Sequence, residues 1–136
     1  MKTTLKLTLL LLFTVLNIAC NHGQSSKSTE KSGKVSVIAP EAYQERSMNQ
    51  TIVDVRRPEE YNSGHIEGAI NIDFFSPDFL DQIAKLDKSE TIFIYCRSGK
   101  RSAKATSKML ETGFEEVIDL KGGIINWTKS NQKLVK

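Results

Sequence analysis

The strongest constraint on the fold is a short strand that leads directly into a cysteine-containing loop and then into a helix. The strand is predicted over residues 91–95, Thr-Ile-Phe-Ile-Tyr, because this stretch is apolar, β-branched and aromatic. The helix is predicted over about residues 102–112, with Gly113 at the position that ends it. Cys96 therefore lies at the carboxyl end of a strand, where open α/β sheets bind their ligands.

The residues around Cys96 favour negative charge at this loop. The first N–H groups of a helix have no partner within the helix and carry partial positive charge. Arg97, Lys100 and Arg101 add formal positive charge to the same stretch. These features favour the thiolate of Cys96 over the thiol, and the thiolate is the nucleophilic form.

Strand-like and helix-like segments alternate along residues 34–136. This alternation predicts an α/β fold, with a mainly parallel sheet of about five strands and helices on both faces. Four further strands are predicted near residues 35–38, 51–55, 68–72 and 116–120. Helices are predicted to begin at Pro40, Pro58 and Pro77, and after the Gly122–Gly123 turn.

Size and composition narrow the range of functions. A chain of 136 residues holds one folded domain at most. Its net charge of +3 gives no argument for a nucleic-acid partner. Two histidines and two separated cysteines, Cys20 and Cys96, do not make a metal-ligand set. We therefore expect no metal and no cofactor.

The first 19 residues are predicted to be a signal peptide. They begin with positive charge from Lys2 and Lys6 and continue with an almost unbroken apolar run over residues 7–16. That run is shorter than the ~20 apolar residues that a membrane-spanning helix needs.

Residues 16–20, Leu-Asn-Ile-Ala-Cys, resemble a bacterial lipobox, in which the cysteine is acylated and becomes the new amino terminus. Asn17 departs from the pattern, since leucine usually stands there, so ordinary signal-peptidase cleavage and an uncleaved anchor remain alternatives. Residues 20–33 are polar and predict a flexible tether. We expect a periplasmic or cell-surface lipoprotein anchored to a membrane through Cys20, or a soluble secreted or periplasmic protein if Cys20 is not acylated.

Three blocks of sequence together resemble a single rhodanese-like domain, which we place at residues 34–136. The first is residues 54–61, DVRRPEEY, continued by GHIEGAINI over residues 64–72. The second is residues 95–102, YCRSGKRS, and the third is residues 120–124, LKGGI, closed by Trp127. Three blocks in order, at suitable spacing, cover essentially the whole folded part and are a specific signal.

The resemblance implies a sulfurtransferase in which Cys96 carries a persulfide. The residues that match the loop around its sulfur are Arg97, Ser98, Gly99, Lys100 and Arg101. Asp54 and Arg56 match positions that brace the site, while His65 and Trp127 match structural positions. Among the loop cations, Arg101 is the first candidate for contacting the substrate and Arg97 is the second.

The implied reaction has two steps. The Cys96 thiolate attacks the outer sulfur of a small donor such as thiosulfate, and sulfite leaves. Backbone N–H groups of the loop stabilise the resulting persulfide, and the loop cations orient the dianionic donor. A thiol or another thiophilic acceptor then takes the sulfur and restores the thiolate.

Two alternatives remain open. The first is a persulfide carrier or a redox or binding module that has negligible turnover and an unknown protein partner. The second is an arsenate reductase or phosphatase of the same fold. The spacing Cys-x4-Arg from Cys96 to Arg101 disfavours it, because the resemblance assigns the longer Cys-x5-Arg loop to those enzymes.

Overall fold

The structure is a computed structural model that describes residues 33–136. Its centre is a sheet of five strands: β1 (Lys34–Ile38), β2 (Thr51–Asp54), β3 (Ala69–Asn71), β4 (Thr91–Tyr95) and β5 (Glu116–Leu120). Every neighbouring pair is parallel, and the spatial order is β1-β5-β4-β2-β3. The predicted parallel sheet of about five strands is confirmed.

Four helices connect the strands, and a fifth follows β5: α1 (Pro40–Arg46), α2 (Pro58–Asn62), α3 (Phe79–Ile83), α4 (Lys100–Glu111) and α5 (Gly123–Lys129). A proline occupies the first turn of α1 and of α2, where its missing N–H costs no hydrogen bond. Helix α4 begins two residues earlier than predicted. Gly99 adopts a left-handed φ of 94° before it, so the chain turns from the loop directly into the helix.

Apolar side chains cover both faces of the sheet, as a parallel sheet between two helix layers requires. On one face, α3 and α4 pack against the strands through a cluster that includes Ile83, Met109 and Val117. On the other face, α1 and α5 pack through Tyr43 and Trp127, whose rings meet edge to face at 6.1 Å. The prediction of helices on both faces is therefore confirmed.

The predicted signal peptide, the lipidation site Cys20 and the predicted tether up to residue 32 lie outside the described residues. Between Gly33 and Lys136, no helix is long and apolar enough to cross a bilayer.

Candidate active site

The carboxyl ends of three adjacent strands meet at one edge of the sheet. Strand β4 lies between β2 and β5, and its Tyr95 is level with Asp54 of β2. Cys96 is the residue directly after Tyr95, and the Gly122–Gly123 turn comes after the end of β5. The fold therefore brings the three blocks of the sequence motif to one place.

The Cys96 loop rests directly on the first turn of α5. The N–H of Ile124 donates to the Cys96 carbonyl at 2.9 Å, and the N–H of Ile125 donates to the Arg97 carbonyl at 3.1 Å. Gly123 has a left-handed φ of 59°, and a Cβ there would lie 2.4 Å from the Cys96 carbonyl oxygen. Only glycine fits this contact, so Gly123 allows the Cys96 loop to lie this close to α5.

The sulfur of Cys96 faces two hydrogen-bond donors. The N–H of Gly99 donates to Sγ at 3.1 Å, and the Ser102 hydroxyl lies 3.5 Å from Sγ. Cys96 is only 1% exposed and packs with the apolar cluster under α4. Donors of this kind, held in a dry site, stabilise negative charge on sulfur.

Asp54 and Arg56, the two predicted supporting residues, form a buried ion pair. Nε and Nη2 of Arg56 donate to the Asp54 carboxylate at 2.9 and 2.6 Å, and the Arg56 backbone N–H donates to it at 2.9 Å. Nη2 also donates to the Gly64 carbonyl at 2.8 Å. Burial and the neighbouring Asp54 raise the pKa of Tyr95, which keeps its hydroxyl neutral. Through the bond from Arg56 to Gly64, the Asp54–Arg56 pair joins the end of β2 to the segment before β3.

The three loop cations have different surroundings. Both Nη atoms of Arg101 donate to the Glu60 carboxylate, at 2.6 and 2.8 Å. This fork-to-fork contact lowers the pKa of Glu60 to about 2 and raises the pKa of Arg101. Arg97 and Lys100 are exposed and form no ion pair with another described residue.

A recess of about 300 Å³ lies beside the loop. Arg56, Glu60 and Arg97 supply its polar wall, and Ile124 and Ile125 are among its apolar lining residues. A larger recess of about 720 Å³ lies elsewhere, near Gln50 and Trp127, and contains none of the predicted site residues. The smaller recess is therefore the relevant one for chemistry at the loop.

Several residues of the site were not predicted from the sequence as functional. Glu60 was not predicted as a site residue, and it lies 41 positions from Arg101, so only the fold shows that the two pair. Phe75 is 56% exposed, and the guanidinium carbons of Arg57 and Arg101 lie 5.1 and 5.9 Å from its ring centre. Ser102 is the last residue of the second sequence block, so its position in the sequence could have suggested a contact with the sulfur.

The two residues interpreted as structural occupy structural positions. The His65 ring stacks on Tyr61 at 3.8 Å, and its backbone pairs with Val135. Trp127 is 1% exposed, and its indole N–H donates to the Lys133 carbonyl at 2.9 Å. Within residues 33–136, no group of histidine, cysteine and carboxylate side chains is arranged to hold a metal ion.

Comparisons with known proteins show which family the chain is similar to. The family model "Rhodanese-like domain" matches residues 39–130. Thiosulfate sulfurtransferase 16, chloroplastic, from Arabidopsis thaliana is 41% identical over 88 residues, covering 57% of this chain and 73% of that protein. The Bacillus subtilis (strain 168) protein named "Putative sulfur carrier protein YrkF" is 33% identical over 106 residues, covering 74% of this chain and 55% of that protein.

A solved structure shows the same fold. The crystal structure of a rhodanese-related protein from Thermoplasma volcanium superposes with a TM-score of 0.67 at 27% sequence identity. The match covers 74% of this chain and 97% of that one.

Proposed function

The chain belongs to the rhodanese-like domain family, and from this premise we propose that it is a sulfurtransferase that moves sulfane sulfur through a persulfide on Cys96. The observation that carries the proposal is the position of the Cys96 sulfur, at the end of β4 and facing the Gly99 N–H and the Ser102 hydroxyl. These donors suit a sulfur nucleophile that carries negative charge in both of its states.

In the first step, the Cys96 thiolate attacks the outer sulfur of a donor such as thiosulfate. A new S–S bond forms while the bond between the donor's two sulfur atoms breaks, and sulfite leaves with that bond's electron pair. Charge is conserved, because the thiolate and the dianion become a persulfide anion and a sulfite dianion. The outer sulfur of the persulfide is bonded about 2 Å from Sγ, where backbone N–H groups of the loop can stabilise its charge.

In the second step, an acceptor thiolate attacks the outer sulfur and takes it as its own persulfide, and Cys96 leaves as the thiolate. Because Cys96 is only 1% exposed, the inner sulfur is shielded and the outer one is the accessible atom. This arrangement favours transfer to small or slender acceptors such as a low-molecular-weight thiol.

We assign donor attraction to Arg97 ahead of Arg101. The sequence placed Arg101 first, but its guanidinium is engaged by Glu60. Arg97 lines the recess beside the loop and is exposed. A free cation at the recess attracts a dianion, whereas Arg101 holds the loop to α2.

The test is mass spectrometry of the full chain after incubation with thiosulfate, with peptide mapping to separate Cys96 from Cys20. We expect the Cys96 peptide to gain one sulfur atom and a thiol to remove it. Cys96→Ser must abolish the gain, and Cys20→Ser must leave it intact. A chain that gains no sulfur at Cys96 would contradict the proposal.

The similarity to a protein named as a sulfur carrier supports a second candidate, a persulfide carrier with negligible turnover. Both candidates require loading of Cys96, so turnover separates them. Steady thiosulfate consumption with excess thiol identifies the enzyme, whereas a single loading event per chain identifies the carrier.

We also propose that Cys20 is acylated and anchors the domain to a membrane, outside the cytoplasm. The pattern of residues 1–20 is the support for this localisation. In a bacterial host, the chain should then fractionate with membranes, and Cys20→Ala should release it to the soluble fraction. Soluble behaviour of the unaltered chain would contradict the anchor.

A further inference from the structure

A second buried carboxyl group lies on β5, beside the strand that leads to Cys96. Asp119 of β5 is 4% exposed, and its neighbours along the sheet are Val37 of β1 and Ile94 of β4. One of its two carboxylate oxygens, Oδ1, has no hydrogen-bond partner. A buried polar atom without a partner is uncommon in a folded protein and needs an explanation.

Ser102, in the first turn of α4, links this carboxyl group to the nucleophile. Its side chain is fully buried on α4, and a hydrogen bond from its hydroxyl is one of the interactions that act on the pKa of Asp119. The same hydroxyl lies 3.5 Å from Cys96 Sγ and 3.2 Å from the Gly99 carbonyl oxygen. The Cys96 sulfur, the Gly99 carbonyl and the Asp119 carboxyl therefore compete for the single hydrogen of this hydroxyl.

The acceptor to which the Ser102 hydroxyl donates depends on the protonation state of Asp119. An ionised carboxylate is the strongest acceptor and draws the Ser102 hydrogen to itself. A neutral carboxyl group has its own O–H, which donates to the Ser102 oxygen and frees the Ser102 hydrogen for Sγ. The sulfur thus has two donors in one state and only the Gly99 N–H in the other.

We propose that Asp119 is a positioning residue that sets the direction of the Ser102 hydroxyl and thereby the number of hydrogen bonds to the Cys96 sulfur. The inference deepens the proposed function and rests on it, because it concerns the same reacting sulfur. The bare thiolate carries its charge on Sγ and needs the Ser102 hydrogen most. After loading, the charge moves to the outer sulfur, and the hydrogen can return to Asp119.

The surroundings of Asp119 place its own titration in a useful range. Burial raises the pKa of Asp119 to about 6, although the Ser102 hydroxyl and the Leu120 N–H oppose the shift. The titratable groups that face it are Tyr43 of α1, which interacts with its charge from the other side of the sheet, and Cys96 across Ser102. The α4 residues packed on this face, Ala105, Thr106 and Met109, are uncharged.

The test measures the rate at which iodoacetamide alkylates Cys96 in the full chain, by peptide mapping, from about pH 5 to about pH 8. Asp119→Asn should match the wild-type rate below the pKa of about 6, where Asp119 is neutral. Above it, the variant should react about tenfold faster, since the Ser102 hydrogen bond to the charged sulfur then favours the thiolate. A variant-to-wild-type ratio that does not change with pH would overturn the proposal.

Ser102→Ala separates positioning from a direct charge effect. In that background, Asp119→Asn should change the rate by less than about twofold at every pH. An effect of Asp119→Asn that is undiminished in the Ser102→Ala background would show that the carboxylate acts through space, against the proposal. Should Asp119→Asn not fold, the ratio of wild type to Ser102→Ala must still fall as the pH rises through about 6.

Thr106→Val is the matched control. Thr106 lies one turn further along α4, is 3% exposed, and also has an unpartnered hydroxyl. Its substitution should leave the alkylation profile unchanged, and a pH-dependent change would count against a specific path through Ser102. Alkylation needs no sulfur donor, so a failure to load sulfur from thiosulfate would refute the proposed function without imitating a failure of this inference.

Discussion

Two buried aspartates flank the central strand and differ in how completely they are paired. Asp54, on β2, is fully buried and accepts hydrogen bonds from the side chain and backbone of Arg56. Asp119, on β5, is 4% exposed and has no cationic partner among the described residues. A carboxylate with a complete set of donors holds a structure together, whereas an incompletely paired one can change its protonation state.

The largest expected effect on stability comes from breaking the Asp54–Arg56 pair. Arg56→Ala leaves the Asp54 carboxylate buried without its cation, and breaking such a pair costs about 3–5 kcal/mol. Chemical denaturation at neutral pH measures the free energy of unfolding. A loss below about 1 kcal/mol would show that Asp54 tolerates isolation and would remove the contrast with Asp119.

Asp119→Asn should raise the free energy of unfolding, whereas Arg56→Ala should lower it. The pKa of this carboxyl group is raised to about 6 in the folded chain, so its folded form binds more protons than its unfolded form. Stability is therefore fully present below the unfolded pKa and is lost as the pH rises through about 6. Each pKa unit corresponds to about 1.4 kcal/mol, so the variant should gain about 2–3 kcal/mol at neutral pH and nothing in acid.

Denaturation curves at acid and neutral pH test this gain. Asp81→Asn, at an exposed position of α3, is the control, and it should shift neither curve by more than about 0.5 kcal/mol. An Asp119→Asn chain that is less stable than wild type at neutral pH would mean that the carboxylate is paired in solution.

Glu60 is an intermediate case, because its carboxylate is paired with Arg101 but remains partly exposed. Glu60→Gln should cost about 1 kcal/mol of stability, since exposure screens the ion pair. The same change releases Arg101, so the KM for thiosulfate should fall about twofold to threefold through the added free cation. Steady-state kinetics measures this, and an increased KM would mean that Arg101 needs Glu60 to face the donor.

The smallest effect is expected at a neutral group. Thr106→Val removes a buried hydroxyl that has no partner, at nearly constant volume. The free energy of unfolding should rise by about 0.5–1 kcal/mol, because the buried hydroxyl is left without a hydrogen bond. Thermal or chemical denaturation provides the measurement, and a loss of more than about 1 kcal/mol would indicate a hydrogen bond through bound water.

The sequence predicted the sheet well because the strands are apolar and separated by clear turn residues. It placed the start of α4 two residues late, since the left-handed turn at Gly99 is a property of the loop's backbone and not of side-chain periodicity. The supporting role of Asp54 and Arg56 was anticipated only through the family resemblance. The Cys96 loop, in contrast, followed from the residues themselves.

The features that the sequence did not reveal depend on contacts between distant segments. Glu60 meets Arg101 only because α2 and α4 begin at the same edge of the sheet. Asp119 resembles any polar residue in a strand until α4 is known to cover it. Neither the pairing of Glu60 nor the incomplete pairing of Asp119 is encoded in the local sequence pattern.

The most direct test of the proposed function is the mass of the Cys96 peptide after the full chain meets thiosulfate and then a thiol. Persulfide chemistry predicts a gain of one sulfur atom that the thiol removes and that Cys96→Ser abolishes. An unchanged mass in a folded chain would contradict sulfur transfer through Cys96.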